Sequence, residues 1–163
     1  MNAEAVNLVL ERNAERTPRI ARVTLVVFLA FGAVSAIGGA IALLLTNGLG
    51  MPAAMLDGSP FSSFVIPALV LLVVVGGTQT LALVLLARRW RTAPLWSAIA
   101  GFGMTVWIMV ETVMIQGFSV LQAVYFSLGI AQLALVIGVL WIDQSQRADP
   151  DVSRSLHSDG RTG

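Results

Sequence analysis

The chain has 163 residues, 56% hydrophobic and 12% charged, with a mean hydropathy of +0.83, which leaves too little charge to cover a water-soluble domain of this size. The formal net charge of +1 gives no general attraction to nucleic acid, so no nucleic-acid partner is expected. The lack of cysteine excludes disulfides, thiol redox chemistry and thiolate metal sites, and one histidine, His157, is too few for a bis-histidine haem or a histidine-based zinc site.

In chain order, residues 1–17 form a polar segment. Within it, residues 3–15 carry Val6, Val9 and Leu10 on one helical face and Glu11, Arg12, Glu15 and Arg16 around the other. This pattern predicts a short surface-lying helix, in competition with a frayed terminus. Thr17-Pro18 reads as the cap and first residue of a long helix over 18–46, with Arg19 and Arg22 snorkelling to lipid head groups. Its apolar run is longer than a signal-peptide core of about 7–15 residues, so it is expected to be retained. Gly32, Ala36 and Ala40, at spacing four, form a small-residue stripe expected to pack within the chain.

Asn47-Gly48 is a helix stop. In the link that follows, residues 51–56 are expected to form one interfacial helical turn, and Asp57-Gly58-Ser59-Pro60 a chain turn. Ser62 or Ser63 is expected to cap a second helix over 64–86, with Pro67 in its first turns. A third helix, 95–116, opens near Pro94, a fourth covers 121–142, and residues 143–163 form a polar tail expected to be disordered. Each apolar stretch is long enough, at about 1.5 Å per residue, to cross a hydrocarbon core of about 30 Å. Phe61 and Phe64 are expected at one membrane interface, and Trp90, Trp96 and Trp141 at the other. The fold class expected is all-α, a four-transmembrane-helix bundle comprising residues 18–142.

All ten basic residues are arginine. They precede the apolar run of the first helix, which begins at Val23 (Arg12, Arg16, Arg19, Arg22), fill the second link (Arg88, Arg89, Arg91) or follow the fourth helix (Arg147, Arg154, Arg161). The other two links carry none. Basic residues stay on the cytoplasmic side during insertion, so both termini are expected inside a plasma-membrane, multi-pass protein. Arg88-Arg89-Trp90-Arg91 also predicts contact with anionic lipid, making membrane lipids expected partners. A homo-oligomer or a membrane partner protein is compatible with the small-residue stripe.

Glu111 is the one acidic or basic residue inside the four apolar runs, the first of which begins at Val23. A carboxyl there is costly unless paired, solvated or protonated, which makes it a candidate functional group. Matching depths along the helices places Tyr125 near it and Gln122 one turn further out, and either is expected to hydrogen-bond Glu111. Gln79 and Gln132 lie deeper and close enough in depth to pair if the second and fourth helices touch. The five residues Glu111, Tyr125, Gln122, Gln132 and Gln79 are the candidate binding set. One reading makes them glue between helices; the sharper one makes Glu111, Gln132 and Gln79 a polar column. Met104, Met109 and Met114 are spread around the third helix and do not converge as a soft-metal site. No catalytic set, metal site or cofactor is expected.

The strings PFSSFVIPA (60–68), VVVGGTQ (73–79) and WIMVETVMI (107–115) resemble uncharacterised small four-helix actinobacterial integral membrane proteins. That resemblance implies the helix count and carries no function. Small multidrug exporters share the count, but their essential Glu lies in the first helix, which has no acid here. Fluoride channels carry a Phe-rich motif in their third helix, whereas Phe61-Ser62-Ser63-Phe64 falls at the start of the second. DoxX-like proteins share helix count only. The sequence therefore favours a non-enzymatic accessory, lipid-interacting or ligand-binding protein. The alternative is a small proton- or cation-coupled transporter or channel using Glu111.

Overall fold

The computed structural model describes residues 3–52, 56–57, 60–115 and 119–159. Helix is the regular structure among them: α1 (Ala3–Thr46), α2 (Val65–Ala87), α3 (Ala93–Ile115) and α4 (Val120–Asp159). Four stretches, Arg19–Thr46, Val65–Ala87, Ala93–Met114 and Val120–Trp141, are long and apolar enough to cross a membrane. The shortest has 22 residues, or about 33 Å. The helices pack in a ring in chain order, α1 on α2, α2 on α3, α3 on α4, with α4 closing back on α1.

The outside of the ring is apolar. Val23, Val27, Val34 and Leu45 of α1, Val73 of α2, Phe102 and Val113 of α3 and Ile137 of α4 are all exposed. In water such a surface would drive association; in hydrocarbon it matches the solvent. The interior is built from small residues and a few large ones. At the arginine end Leu25, Leu29, Ala82, Leu86, Ala93, Ala100 and Val136 form one buried cluster. Nearer the other end Ala36, Val75 and Met104 form a second. The α1 stripe is covered from within the chain: Ala36 and Ala40 are buried, and Gly32 lies against the Gln79 side chain.

The helix ends follow local chemistry. α1 stops at Asn47, whose φ of 48° is left-handed, and Gly48 N–H donates back to Leu43 C=O. Gly48 has φ 114°, and a Cβ there would meet the Phe64 ring at 2.5 Å. Phe64 is buried against this turn. At the end of α2 Arg89 takes the left-handed position (φ 56°), with Trp90 N–H to Leu85 C=O and Arg89 N–H to Leu86 C=O. Arg22 reaches across to donate to the same Leu86 carbonyl at 2.6 Å, placing a cation at a helix C-terminus.

Three boundaries differ from the sequence reading. α1 does not begin at Pro18 but runs from Ala3 through it. Residues 3–16 are rich in strong helix formers, so the helix propagates past one missing N–H. α4 continues to Asp159 instead of ending at 142, because extending an existing helix costs less than nucleating one. α2 begins at Val65 with no side-chain cap, so neither Ser62 nor Ser63 caps it. Pro67 is its third residue, where no helical hydrogen bond is lost. Residues 53–55 and 58–59, on which the interfacial turn and the Asp57–Pro60 turn depend, lie outside the described residues, as do 116–118 and 160–163.

The middle of α2 is not α-helical. Leu71–Gly76 is a π-helical segment, with Gly77 N–H reaching back five residues to Leu72 C=O. Three β-branched valines crowd this turn, and Gly76-Gly77 follows, lowering the barrier to a wider one. Thr78 and Thr80 hydroxyls donate to the carbonyls of Val74 and Gly76, adding partners where the helix changes register. Gly76 also lets α1 approach, since a Cβ there would lie 3.0 Å from Ile37.

Candidate functional site

Two polar features lie inside the bundle, at different depths. The deeper one joins diagonal helices. Gln79 of α2 and Gln132 of α4 are both fully buried, and Gln79 Nε2 donates to Gln132 Oε1 at 3.2 Å. Gln132 Nε2 in turn donates to the Ser97 carbonyl of α3 at 2.8 Å. That contact fixes the Gln132 amide with its oxygen toward Gln79, which fixes the Gln79 amide with its nitrogen toward Gln132. Gln79 Nε2 has weaker contacts to Ala100 C=O (3.4 Å) and Met104 Sδ (3.9 Å). Gln79 Oε1 and Ser97 Oγ are buried without partners.

Space for these amides comes from glycine and small residues. Gly32 of α1 leaves room for Gln79, where a Cβ would be 2.9 Å from Cδ. Gly101 and Gly129 bring α3 and α4 into backbone contact, with a Cβ on Gly129 falling 2.5 Å from Thr105 Oγ1 and 3.2 Å from Gly101 C=O. Ser97, Gly101 and Thr105, at spacing four, line this seam. The spacing of four is visible in the sequence as a small-residue row on α3 like that on α1.

The shallower feature is a cavity of about 190 Å³ toward the arginine-free end. α1 contributes Gly32, Ser35, Ala36, Gly39 and Leu43, and the π segment contributes Leu71 and Val75. α3 supplies Met104, Trp107, Ile108 and Glu111, and the start of α4 supplies Gln122 and Tyr125. Glu111 lies four residues from the end of α3, about 6 Å below it. Met104 lies seven residues deeper, so the cavity penetrates roughly 16 Å from that end. Gly32 and Met104, at its floor, are the residues that touch the Gln79 amide. Below them the Leu25–Leu29–Val136 cluster closes the bundle.

Glu111, Tyr125 and Gln122 thus share one cavity, and Gln79 and Gln132 share one hydrogen bond beneath it. The expected bond from Glu111 to Tyr125 or Gln122 is not among the hydrogen bonds of the described residues. Gln122 has a different task. Its Oε1 accepts from Ser119 N–H at 2.9 Å while its own N–H donates to Ser119 Oγ at 3.3 Å, a reciprocal capping box opening α4. The Ser-x-x-Gln spacing announces this in the sequence. Tyr125 stacks on Phe31, with ring centroids 6.0 Å apart and planes 20° apart. Trp107 lies one turn before Glu111 in the same lining, and its Nε1 is buried without a hydrogen-bond partner. Ser35 donates its hydroxyl to Phe31 C=O, which leaves its oxygen as an acceptor.

The cavity therefore combines one carboxyl, two aromatic rings and three hydroxyls, those of Ser35, Ser119 and Tyr125, with an aliphatic and thioether floor. Its described lining holds no basic residue. No protein family matches the chain, and no curated protein or solved structure matches it.

Proposed function

We propose that this is a non-enzymatic, multi-pass protein of the plasma membrane that binds a small ligand in the cavity between α1, α3 and α4. One observation carries the reading: a cavity of about 190 Å³ at the arginine-free end, lined by Glu111. The positive-inside rule supports placing both termini in the cytoplasm and the cavity toward the outer face. A non-enzymatic role is supported by the lining itself, in which Glu111 has no second acid, histidine or cysteine beside it for general acid–base or nucleophilic work. A binding role is favoured over an open pore because the inner half is filled by Leu25, Leu29, Ala82, Leu86 and Val136. The exposed apolar exterior supports lipid as the surrounding partner.

The test is native mass spectrometry of the protein released from lipid nanodiscs, comparing wild type with Ser35→Phe. Ser35 lines the cavity, and a phenyl ring there occupies the space a ligand needs. Wild type is expected to carry a small molecule that Ser35→Phe lacks while both remain folded. Identical bound species in the two proteins would contradict the reading.

A further inference from the structure

Resting on the binding role just given, we propose that the cavity takes an organic ammonium ion, as a free small amine or as the head group of a lipid. Charge is the first argument. Glu111 is half-buried in a wall whose described residues include no Arg, Lys or His. A carboxyl in such a setting lacks a counter-charge that a ligand cation would supply. An anionic ligand would meet that carboxyl with nothing to neutralise it.

The second argument is the rest of the wall. Trp107 and Tyr125 are the side chains suited to a cation with methyl or methylene groups, because their rings attract positive charge and still pack against carbon. Tyr125 is held by its stack on Phe31. A hard metal ion would require six or so oxygen ligands, whereas this lining offers one carboxylate, two serines, a phenol and an amide oxygen already committed to the Ser119 N–H. Ile108, Val75, Leu71 and Met104 complete the wall with apolar surface, which suits alkyl groups and not a hydrated ion. The volume holds several waters or one compact quaternary ammonium.

The experiment uses the full-length protein in nanodiscs of phosphatidylglycerol, which has no ammonium of its own. Binding of choline is measured by isothermal titration beside 3,3-dimethylbutan-1-ol, its neutral carbon isostere. Choline is expected to bind at millimolar concentration or tighter and the alcohol at least tenfold more weakly. Glu111→Gln should abolish that preference, and Trp107→Phe should weaken choline two- to fivefold. Equal binding of choline and the alcohol, unaffected by Glu111→Gln, would overturn the ammonium proposal while leaving the cavity a binding site. No binding of either compound by wild type would overturn it as well. Adding phosphatidylcholine distinguishes the sources: loss of choline binding assigns the lipid head group, and retention assigns the free amine.

Discussion

Gly129→Ala is expected to destabilise the bundle by about 1–3 kcal/mol, and Gly129→Leu to prevent native packing of α3 on α4. The added methyl would lie 2.5 Å from Thr105 Oγ1, 3.2 Å from the Gly101 carbonyl and 3.4 Å from Thr105 N. The hydroxyl is able to rotate away by giving up its bond to Gly101 C=O. The two backbone contacts have no such freedom, so the helices must separate. Separation is costly here because the same seam carries Gln132 to the Ser97 carbonyl. In a membrane no hydrophobic force pushes helices together, and close packing is a main source of their association. The measurement is reversible unfolding in mixed detergent micelles. Thr105→Ala in the Gly129→Ala background should recover part of the loss by removing the nearest atom. A Gly129→Ala protein as stable as wild type would show that α3 and α4 do not touch at this point.

The second large effect concerns the glutamines, and it is asymmetric. Gln132→Leu is expected to cost about 1–2 kcal/mol, because Gln79 Nε2 loses its good acceptor and keeps only contacts at 3.4 and 3.9 Å. Gln79→Leu should lie near neutral. It strands Gln132 Oε1 but removes Gln79 Oε1, which is already buried and unpartnered. The double substitution to leucine should cost less than the sum of the single ones, with a coupling of about 0.6–1.7 kcal/mol. Equal single-mutant costs with no coupling, in the same unfolding assay, would remove the amide pair as a stabilising contact.

Much of this architecture is legible in the sequence because a bilayer imposes a simple rule: about 20 apolar residues per crossing, with backbone groups satisfied within the helix. Depth also transfers well, since a rise of 1.5 Å per residue is reliable in a helix. Counting along α3 and α4 brings Glu111 level with Tyr125, and both line one cavity. Counting along α2 and α4 brings Gln79 and Gln132 close enough in depth to pair, and they bond. What depth does not give is rotation or competition. Gln122 is at a suitable level for Glu111, yet its oxygen turns to the Ser119 N–H three residues away, a local bond that needs no tertiary alignment. Depth likewise does not show that Gly48 offers a surface that buries Phe64. The π segment is not legible in advance, because three valines beside paired glycines fit an α-helical span as well as a π-helical one. The helix ends failed for a different reason: polar flanks beyond 18 and 142 read as boundaries, while helices already nucleated by the spans extend through them.

Accessibility of single cysteines tests the arrangement most directly. The natural chain contains none, so each introduced thiol is read without background. Ser119→Cys and Ser35→Cys lie at the mouth and wall of the cavity, and Arg91→Cys lies in the arginine-rich link. In intact cells a membrane-impermeant cationic methanethiosulfonate is expected to label Ser119→Cys fully and Ser35→Cys more slowly, leaving Arg91→Cys unmodified until the membrane is permeabilised. Labelling of Arg91→Cys from outside, with both serine positions protected, would contradict an outward-facing cavity set opposite the arginines.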